Sequence, residues 1–150
     1  MTLVDSSFSR DSNFIPIQGL GFTQTKAITF VASTTGATGA TTLFTVTGVV
    51  AVRLFGVVSG TDVTGSGTIE AGIAGNTAAL LAQTTGTALD VGEIWIDTGP
   101  ATVEALPALS ILAAGTDIIQ TIGTDTLTAG TLTYYCLWFP ISSDGNVTAA

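Results

Sequence analysis

Between Lys26 and Arg53 the chain runs without a charge through AITFVASTTGATGATTLFTVTGVVAV, residues 27–52. The run is long enough to cross a bilayer as a helix, so its composition decides the fold class. A spanning helix needs about 20 predominantly apolar residues. Here glycine and threonine interrupt every apolar stretch after a few positions. Threonine and valine are β-branched, lose side-chain freedom in a helix and pack well on a pleated surface. The segment therefore reads as strand, loop, strand.

The same grammar fills the rest of the chain. "AITFV" (27–31) is one strand, and "LFTVTGVVAVRLFGVV" (43–58) reads as two strands or one bent strand, with Gly48 and Gly56 as bends, bulges or turns. "GTIEAGIAG" (67–75) and "GEIWIDTG" (92–99) are further strands. "NTAALLAQ" (76–83) fits a short helix or an edge strand, and Pro107 makes "VEALPALSIL" (103–112) a loop, edge strand or single turn. "TDIIQTIGTDTLTAGTLTYYCLWF" (116–139) reads as a long hairpin turning near Ala129-Gly130. Many short strands, glycine-rich connections and no amphipathic helix of three turns predict an all-β domain over 26–150. Its form is a single antiparallel β-sandwich or a small barrel, jelly-roll-like. Residues 1–25 differ: Phe8, Phe14, Ile15, Ile17, Leu20 and Phe22 follow neither helical nor strand period. Disordered tails are poor in large apolar residues, so this segment reads as an extended arm that docks on a neighbour.

Charge narrows the partners. Charged residues make up 9% of the chain and mean hydropathy is +0.60, against about 25% charged in an ordinary soluble domain. A transmembrane barrel alternates apolar and polar faces in segments of about ten residues, whereas here both faces of many segments are apolar, so no membrane partner is expected. The first residues, MTLVDSSFSRDSNF, lack a basic start followed by an apolar block, so no signal peptide is expected. Arg10, Lys26 and Arg53 are the only bases; of eleven acids only Asp5 and Asp11 precede residue 54, which leaves nine acids and no base beyond it. Phosphate recognition needs Lys and Arg, so direct nucleic-acid binding is excluded. A surface of Thr, Ser, Gly and Ala instead suits a chain whose faces are covered by other subunits.

Catalytic chemistry finds few tools. The chain has no histidine, which removes the commonest general base and most zinc sites. Cys136, the single cysteine, has no base to form its thiolate and reads as a buried, inert thiol. Glu93 and Asp97 flank Trp95 on one strand face, a pattern found in glycan sites. The simpler reading is a solvated outer face, with Ile94 and Ile96 turned inward. Asp62, Glu70 and Asp144-Gly145-Asn146 lack the spacing of a calcium loop and read as turns. "GATGATT" has no P-loop lysine. The expectation is a non-enzymatic protein with no catalytic residue, metal site or cofactor.

One stretch stands apart: TYYCLWFP, residues 133–140, gathers both tyrosines, the cysteine, a tryptophan and a phenylalanine. Alternation sets Tyr134, Cys136 and Trp138 on one face and Tyr135, Leu137 and Phe139 on the other. Neither face is polar, so the strand should be covered on both sides, by core on one and by another layer or subunit on the other.

Taken with the arm, "TVTGVVAVRLFGVV", "GTIEAGIAGNTAALLAQTTGTALDVGEIWID" and the C-terminal "SILAAGTDIIQTIGTDTLTAGTLTYYCLWFPISSDGNVTAA", the sequence resembles small virion proteins of tailed bacteriophages. Within them it is similar to capsid decoration, or cement, proteins. The resemblance implies a small β-rich homo-oligomer, most often a trimer. It would sit on the outer surface of the head and clamp subunits of the major capsid protein. The arm residues would meet the capsid, and Trp95, Tyr135 and Trp138 would serve self-association. A tail or fibre component, with receptor or glycan binding around Trp95, is the alternative.

Overall fold

The computed structural model describes residues 21–97 and 99–150. Eleven strands form two antiparallel sheets packed face to face. They are β1 (Phe22–Thr29), β2 (Gly39–Thr47), β3 (Val50–Thr64), β4 (Thr68–Ile73), β5 (Asn76–Thr85), β6 (Ile94–Ile96), β7 (Gly99–Ala101), β8 (Ser110–Leu112), β9 (Ile118–Gly123), β10 (Ala129–Pro140) and β11 (Asn146–Ala149). One 3-10 turn, Gly86–Ala88, follows β5. Among the described residues no helix is long and apolar enough to cross a membrane.

The pairing is nested. β4 pairs with β5, β3 with β6, β2 with β9 and β1 with β10, all antiparallel. The chain behaves as one long ribbon folded back on itself, and the ribbon is then wound so that successive pairs alternate between sheets. The result is the order β1-β10-β3-β6 in the first sheet and β2-β9-β4-β5 in the second. That interleaving is the double Greek key of a jelly roll, so the expected jelly-roll-like sandwich is the fold. Three short strands extend it: β7 beside β6, β8 along the start of β3, and β11 on the free side of β2.

Several local readings change. The stretch 116–139 is not a hairpin, because β9 lies in the second sheet and β10 in the first. The chain crosses the sandwich at 124–128, where Leu127 is buried and its N–H donates to Gly36 O at 2.8 Å. Gly130 is a bulge inside β10 with φ +100°, not a turn. Gly48, with φ +61°, does break 43–58, so β2 and β3 part into opposite sheets, while Gly56 stays within β3. Residues 76–83 belong to an edge strand, β5. The sheet also begins earlier than residue 26: Phe22 to Thr25 are already paired with Trp138 to Tyr135.

Inward residues of both sheets fill the core, with Phe44, Leu54, Ile69, Trp95, Ile118 and Tyr134 among the largest fully buried. One polar link crosses it: Tyr134 Oη on β10 donates to Gln120 Oε1 on β9 at 2.9 Å, both residues without exposed surface.

Candidate interaction surface

β10 alternates as its sequence requires. Tyr134, Cys136 and Trp138 turn into the core, while Tyr135 and Phe139 lie half-buried on the outer face of the first sheet. Leu137 points the same way as Tyr135, yet is only 7% exposed and lies outside the central core cluster. On the neighbouring strand β3, Arg53, Phe55 and Val57 share that outer face, because Val52, Leu54 and Val58 face inward. Register places Phe55 opposite Tyr135 and Arg53 opposite Leu137. The Phe55 and Tyr135 rings stack with centroids 5.2 Å apart and planes 9° from parallel.

The second sheet turns a different face outward. Thr45, Thr47 and Thr148 alternate with buried Val46 and Val147, and Glu70 accepts a hydrogen bond from Gln83 Nε2 at 3.0 Å. An antiparallel sheet with one wet side shows such alternation. On the first sheet the outer positions of β1 and of the first half of β10 are threonines too, Thr23, Thr25, Thr29, Thr131 and Thr133, and the apolar outer side chains gather where the second half of β10 meets β3.

Beside this apolar face runs the segment 102–109, between β7 and β8. Val103 is 84% exposed, Ile111 at the start of β8 is 71% exposed, and Leu106 and Leu109 are each about half-exposed. The segment folds over β6, covering Ile96, and with Phe55, Ile94 and Glu104 it bounds a shallow hollow of about 100 Å³. On its other side a cleft of about 260 Å³ opens toward Leu54, Ala79 and Leu80. Scattered exposed apolar residues are ordinary, but a contiguous group next to an apolar sheet face marks an interaction site.

The sequence-derived candidates fare unequally. Tyr135 lies on the outer face as expected. Trp95 does not: it is fully buried, 6.3 Å from Tyr134 in the core, and Ile94 and Ile96 take the outward positions instead. The reason lies across the strand. Trp95 pairs with Gly56, whose missing side chain leaves room for the indole; a Cβ on Gly56 would approach Leu132 Cδ1 to 2.9 Å and Trp95 Cε3 to 3.5 Å. Trp95 is therefore no surface contact, and the Glu93–Asp97 pair flanks no exposed ring on which a sugar could stack. Trp138 is also turned inward, but at the margin, where its ring meets the half-exposed Phe22 at 5.0 Å. Phe8, Phe14, Ile15, Ile17 and Leu20 lie outside the described residues. Sequence reasoning missed Phe55 and the 103–111 group. The signal for the latter was present: four large apolar residues around Pro107 in a segment too irregular to be a buried strand.

The side chains with chemical potential are engaged otherwise. Burial pushes the Cys136 thiol from 9.0 up to about 12, so it stays protonated at neutral pH. Burial likewise raises the Tyr134 phenol. Asp125 is held below its ordinary value, first by the Ser66 hydroxyl and then by the Thr126 N–H. Asp62, Glu93, Asp117 and Asp144 accept hydrogen bonds from Val91, Asp90, Val46 and Ser142, which is turn and edge bracing. Among the described residues no three metal-ligating side chains converge. No protein-family model, curated protein or solved structure matches the chain.

Proposed function

We propose that this chain is a non-enzymatic structural protein of a virion, a decoration protein that sits on the outer surface of a tailed-phage head and stabilises contacts between capsid subunits. The observation that carries this reading is the jelly roll with an outer patch of apolar side chains around Phe55, Tyr135 and Phe139, bordered by the exposed apolar segment 103–111. Jelly rolls recur in viral shells as well as in lectins and enzymes, and the fold supports the reading by analogy. The site supplies the argument: apolar area, few charges and a buried, protonated cysteine suit assembly better than turnover. Each copy then contributes burial across subunit boundaries, and many weak contacts add to a strong one. The homo-oligomer, a trimer in this reading, and the capsid contact through residues 1–25 belong to the same proposal. A tail component that binds glycans is the weaker reading, since Trp95 offers no exposed ring.

Counting copies in purified particles tests this directly. Quantitative mass spectrometry of virions should find hundreds of copies per particle. A handful would move the protein to the tail, and none would overturn the virion reading.

A further inference from the structure

Among the described residues Arg53 is the one base on the outer face of the first sheet. Its flanking neighbours are apolar or aromatic: Phe55 along β3 and Leu137 across the ladder. Its Nε is buried and has no hydrogen-bond partner among the described residues. The Nε lies beneath the chain's own surface, so an incoming acceptor meets the guanidinium at its Nη atoms, which make no hydrogen bond among the described residues, and a carboxylate matches that fork best. Lys26, the other base described, already donates to the carbonyl oxygen of Ala150.

The carboxylates can be sorted the same way. Of the nine acids beyond residue 54, Asp62, Glu70, Glu93, Asp117, Asp125 and Asp144 each accept a hydrogen bond from the chain itself. Asp90, Asp97 and Glu104 accept none among the described residues. Glu104 stands in the segment that borders the face, next to Leu106 and beside the hollow at Phe55. One surface thus holds an unmatched base in an apolar field, and its rim holds an unmatched acid among exposed apolar side chains.

We infer that this surface binds a second copy of the same chain: the 102–109 segment of one copy lies on the outer sheet face of the next, and Glu104 meets Arg53 across the contact. Both halves of the contact belong to one chain, so it repeats about a two-fold axis or around a closed ring. Val103, Leu106 and Ile111 then cover Phe139 and the Phe55–Tyr135 stack. The size fits. Strands about 4.8 Å apart and a rise of about 3.3 Å per residue give β1, β10 and β3 over the β1–β10 register a flat footprint of roughly 380 Å². Side-chain relief and the bordering segment bring it toward the ~800 Å² per partner of a standard interface. Matched charges inside an apolar patch fix orientation more than they add affinity. The inference rests on the outer face being an assembly surface, not on the identity of the larger assembly.

The test is a charge exchange on the full-length protein, read by sedimentation velocity, with circular dichroism confirming the fold. Wild type should be a closed oligomer. Glu104→Arg, on an exposed segment where folding is undisturbed, should weaken association by about 100-fold, because like charges face each other. Arg53→Glu should do the same, and the double exchange Arg53→Glu with Glu104→Arg should restore the wild-type mass. A monomeric wild type, an unaltered oligomer in Glu104→Arg, or a folded double variant that stays dissociated overturns the inference. Restoration in a protein absent from virions would sink the virion reading and leave this contact standing.

Discussion

The link between the two sheets offers the sharpest check on how the core is built. Tyr134 Oη donates to Gln120 Oε1 at 2.9 Å, but Gln120 Nε2 is buried with no partner among the described residues. The pair is therefore half-satisfied, and its members should respond very differently to removal. Tyr134→Phe keeps the ring and its packing but strands Gln120 Oε1, which costs about 1–3 kcal/mol for an unsatisfied buried acceptor. Gln120→Met abolishes the orphaned amide while stranding the phenol, so the two terms nearly cancel and stability should move by less than about 1 kcal/mol. The double variant removes every polar atom of the link, including the orphan, and should be at least as stable as wild type. The two changes are thus non-additive, with a coupling of about 1–3 kcal/mol. Urea unfolding followed by tryptophan fluorescence measures all four proteins, since Trp95 lies against Tyr134 and reports the core. In a chain of this size each kcal/mol also moves Tm by about 2–4 °C. Additive single effects, or a double variant weaker than Tyr134→Phe, would refute the reasoning.

Two further outcomes follow from the same core. Cys136 titrates near 9.0 when unfolded and near 12 when folded, so below pH 9 both states keep the proton and nothing is lost. Above pH 9 the unfolded chain ionises first, and stability should fall by about 1.4 kcal/mol per pH unit up to pH 12. Tyr134, raised in the same direction, adds its slope from about pH 10; Cys136→Ala should therefore delay the onset from pH 9 to pH 10 in alkaline urea titrations, and an unchanged onset would contradict the buried thiol. Gly130→Ala should cost about 1–3 kcal/mol, because φ is +100° and the added Cβ meets Val63 Cα at 2.7 Å. Gly60→Ala, at φ +79° with open space around it, should cost distinctly less in thermal melts.

The sequence carried the fold class because its signal is local. Threonine and valine at period two specify strands, glycine marks their breaks and bulges, and the Thr/Val alternation of β2 and β11 even specifies the wet face. Which strand pairs with which is not local. Residues 116–139 look like a hairpin because two good strands flank a short polar link, and nothing in that link states that Leu127 will be buried and swing the chain into the other sheet. The Trp95 reading failed for a related reason. Alternation tells which residues share a face but not which face is inward, and here the answer lay in Gly56, nearly forty positions away. For the interaction surface, Tyr135 was legible from a strand with no polar side. Phe55 was not, because its stacking partner is defined only by register.

A low charge density therefore has two separate causes in this molecule. On the second sheet, threonine does what charge does elsewhere: its branched carbon fits the pleat, and its hydroxyl keeps Thr45, Thr47 and Thr148 wet. On the first sheet threonine does the same along β1, but around Phe55 and Tyr135 charge is missing because aromatic and aliphatic groups stand in its place, with one arginine beside them. Composition adds these two surfaces together and reports a single hydrophobic chain. Separated by register, they differ in what can lie against them: water on one side, and on the other a partner able to cover apolar rings and answer a positive charge. In the proposed contact a second copy answers that demand, since the chain carries nine acids beyond residue 54.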